Sequence, residues 1–404
     1  MKAVGVIVEY NPFHNGHAFH LEAAREAAGA QIVIAAMSGN FLQRGEPALV
    51  SKWMRAKMAL LGGADIVFEL PYPFAVQQAE TFANGAVSLL EAAGCSALCF
   101  GSEDGDIEAF KNTMHLFEKN QSLFDEKVKL HIKTGVSYPK ALSLSFEDLQ
   151  LQGNLVNLSK PNNILGFQYI QALHRQKSGM LPLTIKRKHA DYHDEHFSSE
   201  TIASATSIRK ALFDSTDGQH SIRQFIPAQS AVLLEEYYRK YGLFHHWENY
   251  WQLLKYRLLQ MTPDDLRSIY EMEEGLEHRF LKASLAAASF AEFMEQIKTK
   301  RYTWTRLQRA CAHILTNARK EEMVVESKKV SYLRLLGMSG RGREYLNKMK
   351  THYSLPLVSK LSSFQHHSIS LDIRASRIYS CAISGSNQRD HIEMEFRQPP
   401  IFVP

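Results

Sequence analysis

The residues that most constrain the fold of this 404-residue chain lie between positions 4 and 20. Residues 4–8 form a short apolar run that is typical of a buried strand, and residues 18–28 are rich in Ala, Leu and Glu, as a helix would be. Between them come His14, Gly16 and His17, after an Asn-Pro pair that ends the strand. The two histidines are therefore expected in a turn at the N-terminus of a helix.

A turn of this kind favours a bound anion. The unpaired backbone N–H groups and the positive end of the helix dipole attract negative charge, and two imidazoles can add donors to phosphate oxygens. Gly16 lets the backbone approach such a ligand closely. The alternative is that His14 and His17 only cap the helix, which is the commoner role of a single histidine near a turn. Two histidines around a glycine, directly after the first strand, favour the phosphate site.

The same residues carry a family resemblance. His14-Asn15-Gly16-His17 fits the H-x-G-H signature of the HIGH-motif nucleotidyltransferase superfamily, and the chain more narrowly resembles the bacterial tRNA(Met) cytidine acetate ligases. The resemblance extends over the whole length, with fewer recognisable motifs in the last third. It rests on five segments, at residues 8–17, 37–41, 43–47, 160–163 and 204–209.

Strand and helix patterns alternate through the first hundred residues. Strands are expected at residues 4–8, 31–36, 65–70 and 96–100, each followed by a segment long enough to cross back over a parallel sheet. Ligands of such sheets bind beyond the carboxyl ends of the strands. The predicted fold class is α/β, with a Rossmann-like parallel-sheet nucleotidyltransferase domain at residues 1–227. A mainly α-helical, basic C-terminal region follows at residues 228–404, in which residues 378–404 fit no clear element.

The resemblance implies roles for individual residues. His14 and His17 would be the catalytic donors to the phosphoryl oxygens of ATP. Residues 204–210, called here the second motif, resemble the superfamily's second signature, I-S-S-T-x-x-R, with Ala205 in place of one serine, and its Arg209 would neutralise the departing pyrophosphate. Either Asn162 or Asn163 would contact ATP, although both could be simple cap residues and Ser204 and Thr206 could be an ordinary helix cap. Arg187 could instead pair with a surface carboxylate. The full set expected around ATP is Ile7, Val8, Glu9, Tyr10, Asn11, Pro12, Phe13, His14, Asn15, Gly16, His17, His20, Gly101, Asn162, Arg187, Ser204, Thr206 and Arg209.

Basic residues are concentrated in one part of the C-terminal region. The whole chain carries a net charge of +5, but residues 298–350 hold fourteen Lys or Arg against four Glu, a balance of +10. Such a surface attracts an RNA backbone, although a solvated helical face would have the same composition. The residues expected to bind tRNA are Lys298, Lys300, Arg301, Arg306, Arg309, Arg341 and Arg343.

Other polar segments receive plainer interpretations. Residues 38–47 are interpreted as a mobile loop over the site, and Lys52 and Arg55 after it as surface charges that could also attract a carboxylate or an RNA phosphate. The cluster His189, His193, Asp194 and His196 lacks the spacing of a structural zinc site, so no protein metal site is expected. The glycine-rich segment 337–343 lacks the Walker lysine pattern and is assigned to RNA contact.

Composition narrows the functional class. No apolar run approaches the roughly 20 residues of a membrane span, no secretory signal is recognised, and the four cysteines form no disulfide framework. We expect a cytoplasmic protein with no membrane contact and no obligate protein partner.

The resemblance implies a specific reaction. It implies an ATP-dependent ligase that activates acetate as acetyl-adenylate, with Mg²⁺ accompanying ATP, and acetylates N4 of the wobble cytidine of elongator tRNA(Met). Two alternatives remain: a small-molecule adenylyltransferase of the coenzyme-precursor type, and a non-catalytic RNA-binding protein that retains a nucleotide fold.

Overall fold

A mostly parallel sheet organises the molecule in the computed structural model, which describes residues 1–149, 153–187, 202–214, 221–273 and 275–404. In these residues eight strands form one sheet in the order β5-β4-β1-β2-β3-β6-β7, with β8 paired to β6. The strands are β1 (Ala3–Val8), β2 (Ile32–Ser38), β3 (Ile66–Leu70), β4 (Ala97–Ser102), β5 (Leu181–Lys186), β6 (Leu333–Ser339), β7 (Leu357–Val358) and β8 (Ile401–Val403). β1 to β5 are mutually parallel, and β6 runs antiparallel to β3.

Helices connect these strands and cover both faces of the sheet. Those of the first half are α1 (Asn15–Ala28), α2 (Lys52–Leu61), α3 (Tyr72–Ala75), α4 (Ala79–Ala92), α5 (Ile107–Lys119), α6 (Gln121–Lys133), α7 (Tyr138–Asp148), α8 (Pro161–Arg175) and α9 (Ala205–Asp214). Those of the second half are α10 (Ala228–Tyr241), α11 (Trp251–Gln260), α12 (Pro263–Arg267), α13 (Leu276–Ala286), α14 (Phe290–Ile297), α15 (Trp304–Thr316), α16 (Lys320–Glu326), α17 (Gly340–Met349), α18 (Ser370–Ser380) and α19 (Ser386–Arg397). Short 3-10 turns lie at Arg223–Phe225, Trp247–Tyr250, Leu361–Ser363 and His367–Ile369.

The prediction of a parallel α/β fold is confirmed. All seven residues of β2 and five of the six in β1 are buried, as expected for central strands that are apolar on both faces. One apolar core lies between the sheet and α1, α2 and α10, and a second lies on the opposite face beneath α4 and α8. A third core, within the later helices, includes Phe41 from the loop after β2 and Tyr72 from α3. The helical region therefore packs directly on the carboxyl edge of the sheet, where the candidate site lies.

The strands β6, β7 and β8 were not predicted. They come from the C-terminal region, so the sheet crosses the expected boundary at residue 227, and that boundary stays a prediction. The segment 337–343 proves to be the end of β6 and the start of α17, at the amino edge of the parallel strands. There Gly342 lies against the Asp65 backbone, where a Cβ would come within 2.0 Å of the Asp65 carbonyl oxygen. Its glycines therefore permit close packing at the edge opposite the predicted site.

Several other expectations can be compared with the fold. The unplaced residues 378–404 contain the end of α18, α19 and β8, and the helices α6 and α7 were not predicted. The histidine cluster at residues 189–196 lies outside the described residues. Among the described helices, none has the length and apolar character that a bilayer crossing requires.

Candidate nucleotide-binding site

The turn between β1 and α1 has an unusual backbone. Tyr10 adopts a left-handed conformation with φ of 53°, which a residue with a bulky side chain rarely takes up. The peptide bond between Asn11 and Pro12 is cis. Tyr10 is held in place by burial and by edge-on contact with the rings of Phe13 and His17, each 4.8 Å away between centroids. A left-handed conformation at a bulky residue such as Tyr10 is strained, and such residues concentrate at functional sites.

His14 and His17 cap the helix α1 with one ring nitrogen each. His14 is the N-cap residue, and its Nδ1 accepts a hydrogen bond from Gly16 N at 3.1 Å. His17 closes the capping box, because its Nδ1 accepts from His14 N at 3.2 Å. A neutral imidazole that accepts at Nδ1 carries its proton on Nε2. Each histidine can therefore cap the helix through Nδ1 and donate to a ligand through Nε2–H, so the two interpretations are compatible.

The surroundings keep both histidines neutral. Burial, reinforced by the positive charges of Arg187 and Arg209, lowers the pKa of His14 to about 3. Burial, His14 and Arg187 hold the pKa of His17 well below its usual value. The two rings stack with centroids 3.6 Å apart and planes inclined by 26°. Each ring is thus a neutral donor through Nε2–H near physiological pH.

A cavity of about 280 Å³ opens at this turn and collects most of the predicted nucleotide contacts. It lies at the carboxyl edge, where the ends of β1, β4 and β5 meet the N-termini of α1 and α9. The predicted residues that line it are Ile7, Val8, Glu9, Tyr10, Asn11, His14, Gly16, His17, His20, Gly101, Asn162, Arg187, Ser204, Thr206 and Arg209. Five sequence segments far apart in the chain therefore converge on one cavity.

Gly16 and Gly101 both line the cavity, but the space around them differs. A Cβ on Gly16 would lie 3.0 Å from His14 Cε1 and 3.1 Å from Nδ1, so a side chain there would press on the capping ring. Among the residues that the structure describes, a Cβ on Gly101 would meet nothing closer than Arg187 Cγ at 3.5 Å. Packing against this part of the chain therefore does not require a glycine at position 101. A ligand that lies against the end of β4 would supply a reason for it.

The second motif brings a guanidinium to the turn. Ser204 Oγ accepts from Ser207 N at 3.0 Å and so caps α9, while Thr206 is exposed and lines the cavity. Arg209, one turn into α9, donates to the carbonyl oxygen of Asn11 at 2.8 Å and lies 3.3 Å from a carboxylate oxygen of Glu46. The helix α9 is therefore attached to both the histidine turn and the loop after β2.

The structure distinguishes Asn162 from Asn163. Asn163 is fully buried, and its Oδ1 accepts from the backbone N–H groups of Glu103 and Asp104 at 3.0 and 3.3 Å. Asn162 lines the cavity, and its Nδ2 donates to Glu103 at 2.8 Å. Asn163 therefore holds the loop after β4, and Asn162 is the asparagine placed to meet a ligand.

Three of the residues expected around ATP are absent from the described lining of the cavity. Phe13 is fully buried and packs against Gly62, where a Cβ would come within 2.2 Å of the ring. Pro12 is buried beside it. Asn15 points its amide away, to the carbonyl oxygen of Gln224 at 2.9 Å. These residues shape and anchor the turn.

The interpretation of Lys52 and Arg55 as surface charges is wrong, because both side chains are fully buried. The guanidinium of Arg55 donates to the carbonyl oxygens of Glu9, Ser38, Gly39 and Val50. It therefore ties the end of β1 to the end of β2. A sequence signal was available, since a basic residue four positions after a capping serine, in a helix that follows a buried strand, faces the strand ends.

Lys52 belongs to a buried ionic cluster. Its Nζ lies 2.7 Å from Glu69 of β3 and 2.8 Å from Glu395 of α19. The loop 38–47 joins this cluster through Asn40, whose side chain contacts Lys52 N and Ser376 Oγ. Inside the loop, Leu42 N donates to Glu46 O at 2.9 Å. The loop is thus anchored at several points around the cavity.

The residues expected to bind tRNA fall on two sides of the molecule. Lys298, Lys300 and Arg301 are exposed just before α15, and this helix approaches the cavity loop so closely that a Cβ on Gly45 would lie 2.4 Å from Arg309 N. The guanidinium of Arg309 is nearly buried and pairs with Glu271 at 2.8 Å, and Arg306 lies 3.6 Å from Glu273.

The remaining two arginines lie at the opposite, amino edge of the parallel strands. Arg341 contacts Asp65 at 3.2 Å, and the Arg343 guanidinium lies 4.8 Å from the ring of Phe402. Of the seven residues, Arg306 and Arg309 therefore lie on the helix that approaches the cavity loop, and Lys298, Lys300 and Arg301 immediately precede that helix.

The described residues offer neither a second cavity lined by predicted site residues nor a cluster of metal ligands. A wider surface groove of about 560 Å³, between α4 and residues 328–329 and 354–355, contains none of the predicted site residues. Nowhere in the described ranges do three or more His, Cys, Asp or Glu side chains form a group that could hold a metal ion.

Comparison with known proteins agrees with this geometry. The model of the HIGH Nucleotidyl Transferase family matches residues 1–394. The tRNA(Met) cytidine acetate ligase of Bacillus licheniformis is 49% identical over 405 residues, covering 99% of this chain and 97% of that protein. The enzyme of the same name from Bacillus subtilis is 47% identical over 407 residues, covering 99% and 97%.

Solved structures give the same result. Thermotoga maritima TmcAL without ligand superposes with a TM-score of 0.92 at 33% sequence identity, over 100% of both chains. TmcAL bound with alpha-thio ATP gives a TM-score of 0.90 at 32% identity, over 100% of this chain and 99% of that one. The chain belongs to the HIGH nucleotidyl transferase family and, within it, to the tRNA(Met) cytidine acetate ligases.

Proposed function

We propose that the protein is an ATP-dependent ligase that acetylates N4 of the wobble cytidine of elongator tRNA(Met). In the first step the acetate carboxylate attacks the α-phosphorus of ATP, and pyrophosphate leaves. In the second step the cytidine amine attacks the acetyl-adenylate, giving N4-acetylcytidine and AMP. The single observation that carries the proposal is the pair of neutral imidazoles at the N-terminus of α1, inside a cavity that also receives Arg187 and Arg209.

Charge stabilisation accounts for the first step. Negative charge accumulates on the phosphoryl oxygens as acetate attacks, so pre-aligned donors lower the barrier more than they favour ground-state ATP. The Nε2–H groups of His14 and His17 supply such donors without proton transfer, since their Nδ1 atoms are already engaged in the cap. Arg209, anchored to Asn11 and Glu46, supplies positive charge for the leaving pyrophosphate.

Mg²⁺ would bind together with ATP. The cavity offers the carboxylates Glu9 and Glu46, and Glu46 is already paired with Arg209. Since the described residues form no acidic cluster, the triphosphate and water would hold the ion. The ion would neutralise phosphate charge.

The tRNA would bind beside α15, the helix that packs against the cavity loop at Gly45. Lys298, Lys300 and Arg301 are exposed there. The wobble base is unpaired in the anticodon loop and can be splayed into a pocket, as sequence-specific RNA recognition generally requires. A tRNA substrate also supports the cytoplasm as the site of action.

One incubation tests the whole proposal. The protein is mixed with ATP, isotopically labelled acetate and bulk tRNA, and the digested RNA is examined by nucleoside mass spectrometry. The proposal expects labelled N4-acetylcytidine that depends on ATP, and AMP in equal amount. Labelled acetate that never enters the RNA, with pyrophosphate released without acetate, would support a small-molecule adenylyltransferase instead.

A further inference from the structure

The transfer step of the proposed function needs a proton acceptor. When N4 of cytidine attacks the acetyl carbonyl carbon, a C–N bond forms and the bond from that carbon to the phosphate oxygen breaks. The electron pair of the broken bond leaves with AMP, and the nitrogen must lose one proton to become the amide. A side chain within hydrogen-bond reach of the amine can take this proton.

Two carboxylates line the described part of the cavity, and their partners differ. Glu46 lies 3.3 Å from the guanidinium of Arg209, so its carboxylate is already engaged in an ion pair. Glu9 has no guanidinium within ion-pair distance among the described residues. Its Oε1 accepts from Gln43 N at 2.6 Å, and no described residue donates to its Oε2. Glu9 therefore presents a fixed carboxylate with one oxygen open to the cavity.

The histidines of the cavity are poorer acceptors. The Nδ1 atoms of His14 and His17 are engaged in capping, so their Nε2 atoms already carry the protons that serve as donors. Burial and the charge of Arg187 lower the pKa of His20 to about 4, which weakens it as a base. The carboxylate is thus the remaining acceptor in the described lining.

The environment of Glu9 makes its carboxylate a stronger base than that of an exposed glutamate. Burial raises the pKa of Glu9 above its usual value. The charged groups that face it are Arg44 and Glu46 from the loop after β2 and Arg55 from α2, and Tyr169 of α8 lies close enough to sense its charge. Its backbone is held as well, because Arg55 donates to the Glu9 carbonyl oxygen at 2.6 Å.

We propose that Glu9 is the general base of acetyl transfer. Its Oε2 accepts the N4 proton of the wobble cytidine as the C–N bond forms and AMP leaves, and the proton then passes to solvent. This inference rests on the proposed function, since it concerns the second step of that reaction.

The substitution Glu9→Gln isolates this role. Glutamine keeps the shape of the side chain and an amide oxygen that can still accept from Gln43 N, but it cannot take a proton. Acetate-dependent ATP–pyrophosphate exchange measures the first step. Rapid-quench transfer from enzyme-bound acetyl-adenylate to tRNA, in a single turnover, measures the second. Glu9→Ala, which loses both the base and the loop contact, serves as the comparison.

The expected result is a selective loss. Transfer in Glu9→Gln should fall by roughly 10²- to 10⁴-fold, the usual contribution of a general base, while exchange falls far less. In the unsubstituted protein the transfer rate should rise with pH through the pKa of Glu9 and then level off, because only the carboxylate form is active. This rise should be absent in Glu9→Gln.

Three outcomes would overturn the inference. One is unimpaired transfer by Glu9→Gln together with slowing of both steps by Glu9→Ala, which would make Glu9 a loop anchor. Another is an equal loss of exchange and transfer in Glu9→Gln. The third, available even if the variants do not fold, is a pH-independent transfer rate in the unsubstituted protein. Unsubstituted protein that forms no acetyl-adenylate would refute the proposed function itself.

Discussion

Replacing His14 by asparagine should separate its two roles. In the structure Nδ1 caps α1 by accepting from Gly16 N at 3.1 Å, and Nε2–H is the proposed donor to the phosphoryl group. Asparagine is a favourable N-cap residue, so His14→Asn should keep the cap. Its amide ends well short of the Nε2 position and removes the donor. Loss of one such donor costs about 2.7–4 kcal/mol of transition-state stabilisation, or roughly 10²- to 10³-fold in rate.

His14→Ala is the matched comparison, because it removes the donor and the cap together. Loss of the cap should lower the free energy of unfolding by about 1 kcal/mol relative to His14→Asn. Acetate-dependent ATP–pyrophosphate exchange measures the first effect, and urea unfolding measures the second. We expect both variants to be slow and only the alanine variant to be markedly less stable. A His14→Asn protein that exchanges at the unsubstituted rate would show that His14 is only a cap, and the donor argument would fail.

Three further predictions concern stability and RNA binding. Lys52→Ala should lower the free energy of unfolding by about 3–5 kcal/mol, measured in urea, because it removes the buried cation that Glu69 and Glu395 share and leaves Glu395 with Arg334 alone, 3.9 Å away. Between pH 6.5 and about 4 the free energy of unfolding should fall as pH falls, by up to about 1.4 kcal/mol per pH unit for each buried histidine. The reason is that the pKa values of His14 (about 3) and His20 (about 4) are lowered in the folded protein, so only the unfolded chain binds protons at these histidines in that range. A free energy of unfolding that does not change with pH in denaturant titrations would contradict this. Alanine at Lys300 should weaken tRNA binding and reduce its log–log salt slope by about one, whereas alanine at Arg343, on the opposite edge, should leave the slope unchanged in filter-binding titrations.

The first four parallel strands could be predicted because their residue patterns indicate burial. Residues of β1 and β2 are apolar on both faces, which fits burial between two layers of helices. β6 was missed because Arg334 and Gly337 interrupt its apolar run. In the structure Arg334 is buried, with its guanidinium 5.6 Å from the ring of Trp53, and it donates to the Glu395 carbonyl oxygen. A single sequence does not reveal that a charge has a buried partner sixty residues away.

The position of the site could be predicted from the sequence, but the roles of some of its residues could not. The rule for carboxyl ends of parallel strands was enough to bring His14 and Gly101 together, and the family resemblance added Asn162 and Arg209, which line the same cavity. Spacing could not decide between a cap and a donor for His14, because the answer depends on which ring nitrogen is already bonded. Nor could it choose Asn162 over Asn163, since that choice depends on which amide the loop after β4 uses.

The antiparallel contact of β3 with β6 has a consequence for how the chain is made. β3 ends at Leu70, but its neighbour β6 begins at Leu333, and Glu395, the second carboxylate around Lys52, comes later still. During translation the nascent nucleotide half therefore leaves the ribosome with an open strand edge and an incompletely neutralised lysine. Exposed edges of this kind invite pairing with other chains. The edge of β3 is accordingly covered only after residues 333–339 have been made.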